Sequence, residues 1–253
     1  MNYRIMRITN KNGTVVADIE SWEKAFKEVD DAKHWEEGRS AMSLAQYFSL
    51  PNIEQSNGIK LIKEYIEICG FKDLEPIKAR IEHESRFDKF KGKGHMHDMV
   101  IWGNGGGIHL VICIEAKVDE PFGSPVSEAY RESVEYVNKN PRSKRSQRIK
   151  DLCEKYYKID VNDITSDTDT DIRYQLLHYL AGAITEAKSC NDVVFMPIMV
   201  FKTNKYNKEN CNKKDYEVFI KSMNFVLLNS EKEIYKNNID GVDVYMTYIE
   251  IPI

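Results

Sequence analysis

Two acids and a lysine stand out by their spacing. Glu115 and Lys117 lie two apart in an almost continuously apolar run, 108–116, so on a strand their side chains leave the same face. Asp98 opens a β-rich stretch, 98–102, and Asn104-Gly105-Gly106-Gly107 between the two forms a turn in which positive φ costs little. With the turn centred between Gly105 and Gly106, position 98 lies opposite 113, and Asp98 sits diagonally beside Glu115. A slip of one residue would carry Asp98 to the other face. Three charges meeting at the end of a core strand are costly unless they neutralise one another or hold a metal. Two carboxylates suit Mg²⁺, with Mn²⁺ as a substitute. A lysine beside that ion would position or deprotonate a water, and the ion would stabilise charge on a phosphoryl oxygen. This outlines a site that cleaves phosphodiesters; the competing reading is a structural ion-pair cluster.

Further residues could serve such a site. Arg173, Tyr174, Gln175 and His178 fall on an expected helix, where Gln175 and His178 are three apart and can reach one point together. On spacing alone they read as a helix face that satisfies its neighbours. His95 and His97 alternate as strand neighbours do, yet no third ligand for zinc stands out. Asp167-x-Asp169-x-Asp171 lacks the glycine and the final glutamate of a calcium loop, and reads better as an acidic cap on a helix starting near Asp171. Between 139 and 150 six of twelve residues are basic: Lys139, Arg142, Lys144, Arg145, Arg148 and Lys150. Arg142, Lys144, Arg145 and Arg148 are the expected phosphate contacts, against a solvated helix face.

The elements that must position these residues follow from periodicity. Ala41, Leu44, Ala45 and Phe48 lie on one helical face, closed by Pro51. Ile62, Tyr65, Ile66 and Cys69 repeat the pattern, with Gly70 as the stop. Ile77, Ala79, Ile81 and His83 alternate as a strand with one buried face. The run 108–116 is apolar enough for a central strand covered on both sides. Ser124-Pro125 reads as the cap and first turn of a helix burying Val126, Ala129, Tyr130, Val134 and Val137. A second helix carries Ile149, Leu152, Cys153 and Tyr156, and a third spans about 171–187. Strands are expected at 193–203 and 242–251. The pattern predicts one α/β domain over 1–253, a central mixed β-sheet flanked by helices, with a helical N-terminal part at about 20–70.

Composition narrows the function classes. The chain has 253 residues, 42% hydrophobic and 30% charged, which fits a folded globular protein and excludes disorder. Its longest nearly apolar run, 193–201, is far too short to span a bilayer and contains Pro197. Residues 1–7 show no apolar signal-peptide core, so a cytoplasmic location is expected. Cys69, Cys113, Cys153, Cys190 and Cys211 are odd in number and widely spaced, consistent with free thiols rather than a disulfide frame or a cysteine-ligated zinc site. A net charge of −4 argues against a protein that coats nucleic acid with its whole surface, but allows a local basic patch.

Asp98, the hairpin and Glu115-Ala116-Lys117 together resemble the signature of the PD-(D/E)XK nuclease superfamily. The wider similarity is to a bacterial branch of it, through Gly38-Arg39-Ser40-Ala41, the run Glu115-Ala116-Lys117-Val118-Asp119-Glu120-Pro121-Phe122-Gly123, and Arg173-Tyr174-Gln175-Leu176-Leu177-His178. The motif's leading proline is absent, and His97 stands before Asp98. The resemblance implies a restriction-endonuclease-like core and a Mg²⁺-dependent endonuclease or phosphodiesterase. It implies Asp98 and Glu115 as metal ligands, the Ala116 carbonyl as a third, and Lys117 as the catalytic lysine. An acid from an earlier element often joins such sites, and Glu36, Glu37, Glu82 and Glu84 are candidates. The helix after the hairpin often faces the site in that superfamily, so the resemblance implies Gln175, with His178 and Arg173, as candidates to support the acids or bind substrate, Gln175 by touching phosphate. The expected substrate is nucleic acid, DNA ahead of RNA, and a homodimer would suit double-strand cutting. The alternative is a nuclease-fold protein that no longer cuts and serves as a nucleic-acid-binding or protein-interaction module.

Overall fold

The computed structural model describes residues 6–29, 34–49, 56–164, 171–189, 193–207, 209 and 212–253. Its frame is a mixed sheet of eight strands: β1 (Ile8–Thr9), β2 (Glu75–Ser85), β3 (His95–Gly105), β4 (Ile108–Lys117), β5 (Val193–Lys202), β6 (Val226–Asn229), β7 (Ile234–Ile239) and β8 (Val242–Pro252). Their order across the sheet is β1-β2-β3-β4-β5-β8-β7-β6. The strands β4, β5 and β8 run parallel at its centre, while β2, β3 and β4 form an antiparallel meander. Helices α1 (Ile19–Lys27), α2 (Ser40–Phe48) and α3 (Asn57–Ile68) cover one face; α4 (Val126–Lys139), α5 (Arg145–Leu152), α6 (Tyr174–Lys188) and α7 (Asn212–Ser222) cover the other. The protein is therefore α/β, with its sheet sandwiched between two apolar layers. β4 is buried from Leu110 to Lys117, as its run of apolar residues predicts.

The expected helices and strands around the hairpin are present, with corrections. Gly106 and Gly107 take positive φ of 59° and 84° and form the two-residue turn, so Gly105 pairs with Ile108. The turn centre thus lies one residue later than expected, and the ladder that ends at Met99 and Ile114 brings position 98 level with 115 rather than 113. Parity is unchanged, and the two acids are brought closer together.

A second correction concerns β2. Ile77 is exposed, and the buried alternation begins at Ala79. Ile81 and Met99 pack under α1–α3, whereas His83 and Ser85 both bond Glu186 of α6 on the opposite layer. Between them Glu82 adopts a left-handed φ of 47°, which turns the strand over. His95 and His97, paired beside this end of β2, likewise lie against α6.

The helix after Ser124-Pro125 is capped from a distance. Pro125 is its N-cap residue and provides no side-chain cap; the Asp171 carboxylate accepts from the Ser127 N–H at 3.1 Å and from the Ser127 hydroxyl. Asp171 therefore caps α4 and not the following helix, which starts at Tyr174. Asp167, Asp169 and Pro51 lie outside the described residues. α4 buries Val126, Ala129 and Ser133, while Val134 is exposed. Cys69, Cys113 and Cys153 are free thiols, and Cys190 and Cys211 lie outside the described residues.

Candidate active site

The site forms where β4 leaves the apolar core. Glu115 and Lys117 remain 3% and 8% exposed, so both charges are held out of water. The Lys117 ammonium is 3.0 Å from Glu115 Oε1, and the Gln175 amide donates to the same oxygen at 2.6 Å. Glu115 Oε2 is buried without a hydrogen-bond partner, with His95 Nε2, also unpartnered, 3.6 Å away. Asp98 is half-buried, and its Oδ2 accepts the Ala116 N–H at 2.6 Å, fixing the carboxylate across the hairpin. It lies in the wall of a cavity of about 590 Å³ that Glu36, Arg39, Asp119 and Glu120 also line.

Electrostatics divide the two acids. Burial and the neighbouring Glu115 push the Asp98 carboxyl up to about 8. Burial pushes Glu115 the same way, but the Lys117 ammonium and His95 outweigh it and hold this carboxyl at about 2. For Lys117, burial disfavours the charge, yet attraction to Glu115 and Asp98 prevails and raises its pKa. Lys117 is consequently an ammonium that donates hydrogen bonds, not a base that removes a proton from water.

α6 supplies the second layer. Gln175 reaches Glu115, and His178 Nδ1 meets His95 Nδ1 at 3.2 Å, so the two residues expected to reach one point both converge on Glu115, one directly and one through His95. Burial, then His95 and Arg148, lower His178 to about 3, which leaves a neutral imidazole rather than a phosphate-binding cation. His97 is fully buried, its ring 4.5 Å from that of His95. Burial and the neighbouring histidines hold it well below the usual histidine range. Tyr179 donates its hydroxyl to the Cys113 carbonyl at 2.5 Å, next to Pro197, which has no N–H to offer that part of the ladder.

Two residues expected to serve substrate binding, Arg173 and Arg148, are occupied elsewhere. Arg173 pairs with Asp215 at 2.9 Å and donates to the Gly123 carbonyl, tying α6 to α7 and to the loop after β4. Arg148 grips Asp88 with two nitrogens, at 2.6 and 3.0 Å, and donates to the Lys93 carbonyl at 2.9 Å. Both are staples, made by carboxylates too distant in sequence to be foreseen. Arg142, Lys144 and Arg145 are exposed and line a groove instead.

Of the four earlier acids, Glu36 alone shares the Asp98 cavity, where it pairs with Lys205 and Arg39. Glu37 is exposed. Glu82 and Glu84 line a different cavity with Lys93 and Met96. The acid not foreseen is Glu120, whose charge acts on both Asp98 and Lys117 and whose carboxylate accepts the Val118 N–H at 2.6 Å. Its position just beyond the motif was the available signal. Arg39 bonds Asp119 at 2.9 Å and Ser40 bonds Glu120 at 3.3 Å. The three separated segments 38–41, 115–123 and 173–178 therefore meet at one place.

Among the described residues no three His, Cys, Asp or Glu side chains group to hold a metal by themselves. Two carboxylates, one with an unsatisfied buried oxygen, suit an ion that completes its shell with backbone carbonyl, water and phosphate oxygens, as Mg²⁺ does and structural Zn²⁺ does not. No helix among the described residues is long and apolar enough to cross a membrane.

Fold and site together define an α/β protein with a buried carboxylate–lysine centre at the end of a central strand. A family model, Domain of unknown function (DUF6946), matches residues 15–253, and the chain belongs to that family. No curated protein matches the chain, and no solved structure does.

Proposed function

We propose that the protein is a Mg²⁺-dependent nuclease with a restriction-endonuclease-like core, hydrolysing phosphodiester bonds of nucleic acid, DNA ahead of RNA. The observation that carries this reading is Glu115 Oε2: a buried, unpartnered carboxylate oxygen beside Lys117 and level with Asp98. Asp98, Glu115 and the Ala116 carbonyl would hold the ion. When bound, it supplies Lewis-acid stabilisation of negative charge on the scissile phosphate.

The protein's own groups do the rest. Gln175 and Lys117 both donate to Glu115 Oε1, which leaves Oε2 as the oxygen that would hold the ion. His95 of β3, held in turn by His178 of α6, lies against the flank of that carboxylate. An ammonium has three donors, and Lys117 spends one on Glu115, so two remain for the attacking water and a non-bridging phosphate oxygen. Water attacks phosphorus, the bond to the leaving sugar oxygen breaks, and a phosphate monoester and a hydroxyl result. Orientation and charge stabilisation, rather than proton removal by Lys117, are its contribution.

Replacing Lys117 by Ala should lower Mg²⁺-dependent cleavage of DNA by at least about a hundredfold, the scale of losing one preorganised charge donor. The circular dichroism spectrum should not change. An undiminished rate would sink the assignment. Calorimetric titration with Mn²⁺ separates the nuclease from a binding module, since only the nuclease needs an ion at Asp98 and Glu115.

A further inference from the structure

A basic groove opens beside the candidate centre. Its cavity measures about 970 Å³, and two chain segments remote in sequence form its walls. The loop between β2 and β3 supplies Lys89, Lys91 and Lys93; the connection from α4 to α5 supplies Arg142 and Lys144, and the start of α5 supplies Arg145. All six are exposed, none forms an ion pair within 4 Å among the described residues, and no carboxylate lines the cavity. In a chain of net charge −4 this is a concentrated exception.

Aromatic rings interrupt the cations. Phe90 and Tyr174 are partly exposed, and Tyr136 is 48% exposed at the rim. Tyr174 and His178 of the groove lie at the start of α6 with Gln175, and His178 meets His95 beside Glu115, so the groove adjoins the centre through these residues. Arg148, bonded to Asp88 and to the Lys93 carbonyl, clamps the two walls together and makes the groove preformed.

We infer that this groove binds a single strand of nucleic acid and delivers it to the Asp98–Glu115–Lys117 centre. The inference rests on the nucleic-acid reading above and names the form of the substrate. A duplex keeps its base faces stacked inside and presents only backbone and base edges, so rings on a groove wall find no π-face to stack on. A single strand offers a π-face at every base as well as its phosphates, and alternating cations and aromatics match both. A half-open groove of this volume takes a few nucleotides of one strand. Lysines that are merely solvated would need neither the aromatic rings nor the clamp.

The test is fluorescence anisotropy in EDTA, so that binding is read without cleavage. Labelled oligo-dT and oligo-U of about 15 nucleotides, within the span of known single-strand sites, serve as probes. Unlabelled duplex DNA of equal length and polyglutamate serve as competitors. The single strand should bind at least about tenfold tighter than either competitor. Whichever of oligo-dT and oligo-U binds tighter identifies the polymer, and both results support the groove. The surface double variant Lys91→Glu/Arg145→Glu should lose at least about tenfold through charge reversal. Tyr136→Ala should lose at least about fivefold, the low end of removing one base-stacking ring. Equal competition by duplex or polyglutamate, or affinity unchanged in the variants, overturns the inference. A protein that binds the strand yet cuts nothing in Mg²⁺ upholds the groove and fells the nuclease reading. One that cuts duplex and ignores single strands does the reverse.

Discussion

At the scale of the residue, Asp98 and Glu115 show how one lysine can serve only one of two acids well. Lys117 lies 3.0 Å from Glu115, and Asp98, left with the Ala116 N–H, keeps its proton to about pH 8 in the folded state. An unfolded aspartate ionises near 4, so between about 4 and 8 this group is protonated in the folded state and ionised in the unfolded one, and its contribution to stability falls as pH rises. His97 and His178, held below the ordinary histidine value of about 6.5, act in the opposite sense up to that pH, so Asp98 is read above it. The wild type should melt a few degrees lower at pH 8.5 than at pH 7, at about 2–4 °C per kcal/mol for a chain of this size. In Asp98→Asn the contribution disappears, since the amide oxygen still accepts the Ala116 N–H and no charge is buried. Scanning calorimetry at the two pH values reads the difference. Adding millimolar Mg²⁺ at pH 8.5 should raise the wild-type melt and leave Asp98→Asn unmoved, because only an ion bound to the folded state stabilises it. Melts that run parallel for both proteins across pH would remove Asp98 from the buried pair.

At the scale of the element, α6 is the organiser, and a glycine lets it approach. A Cβ at Gly182 would lie 2.9 Å from His95 Cβ and 3.0 Å from His97 Nε2. For Gly182→Ala, helix propensity returns about 1 kcal/mol, whereas forcing atoms into a packed core costs about 1–3 kcal/mol. The contacts are a strand Cβ and a fully buried ring, neither free to rotate away, so the loss should prevail by about 1 kcal/mol. Urea unfolding would show a lower midpoint with the same slope. The existence of α6, α2, α3 and β4 was legible from apolar spacing, because each buries a regular stripe. What α6 touches was not legible: Gln175 and His178 declared a shared direction but not its target. β7, with Tyr235, Lys236, Asn237 and Asn238 in its middle, lies next to the sheet edge and carries little apolar signal. The expected turn centre missed by one residue, and the register by two, because three successive glycines permit several turns and only the packed strands choose among them. Arg148 and Arg173 look like substrate contacts in sequence, since Asp88 and Asp215 are brought to them only by the fold.

At the scale of the whole molecule, the net charge of −4 conceals a division. The centre lies between a groove lined by six cations with no ion pair among the described residues and a cavity where Glu36, Asp119 and Glu120 join Asp98. A polyanion is attracted into the groove, whereas Arg39, the arginine that lines the cavity, is already held by Glu36 and Asp119, so without a divalent ion the strand's path should stop at the centre. Each phosphate neutralised on a single strand contributes about −0.7 to the slope of log affinity against log salt. Six cations then set a limit near −4, and a strand confined to the groove should show a slope between about −2 and −4 in EDTA. Lys91→Ala/Arg145→Ala should flatten that slope by about 1.4, two phosphate contacts, whereas Tyr136→Ala should weaken binding and leave the slope unchanged, since stacking releases no counterions. Anisotropy titrations across a sodium chloride series separate these effects. A slope near zero for the wild type would mean that the acidic remainder of the surface cancels the groove at the distance where the strand binds, and the six cations would then be solvated lysines and arginines with no polymer to hold.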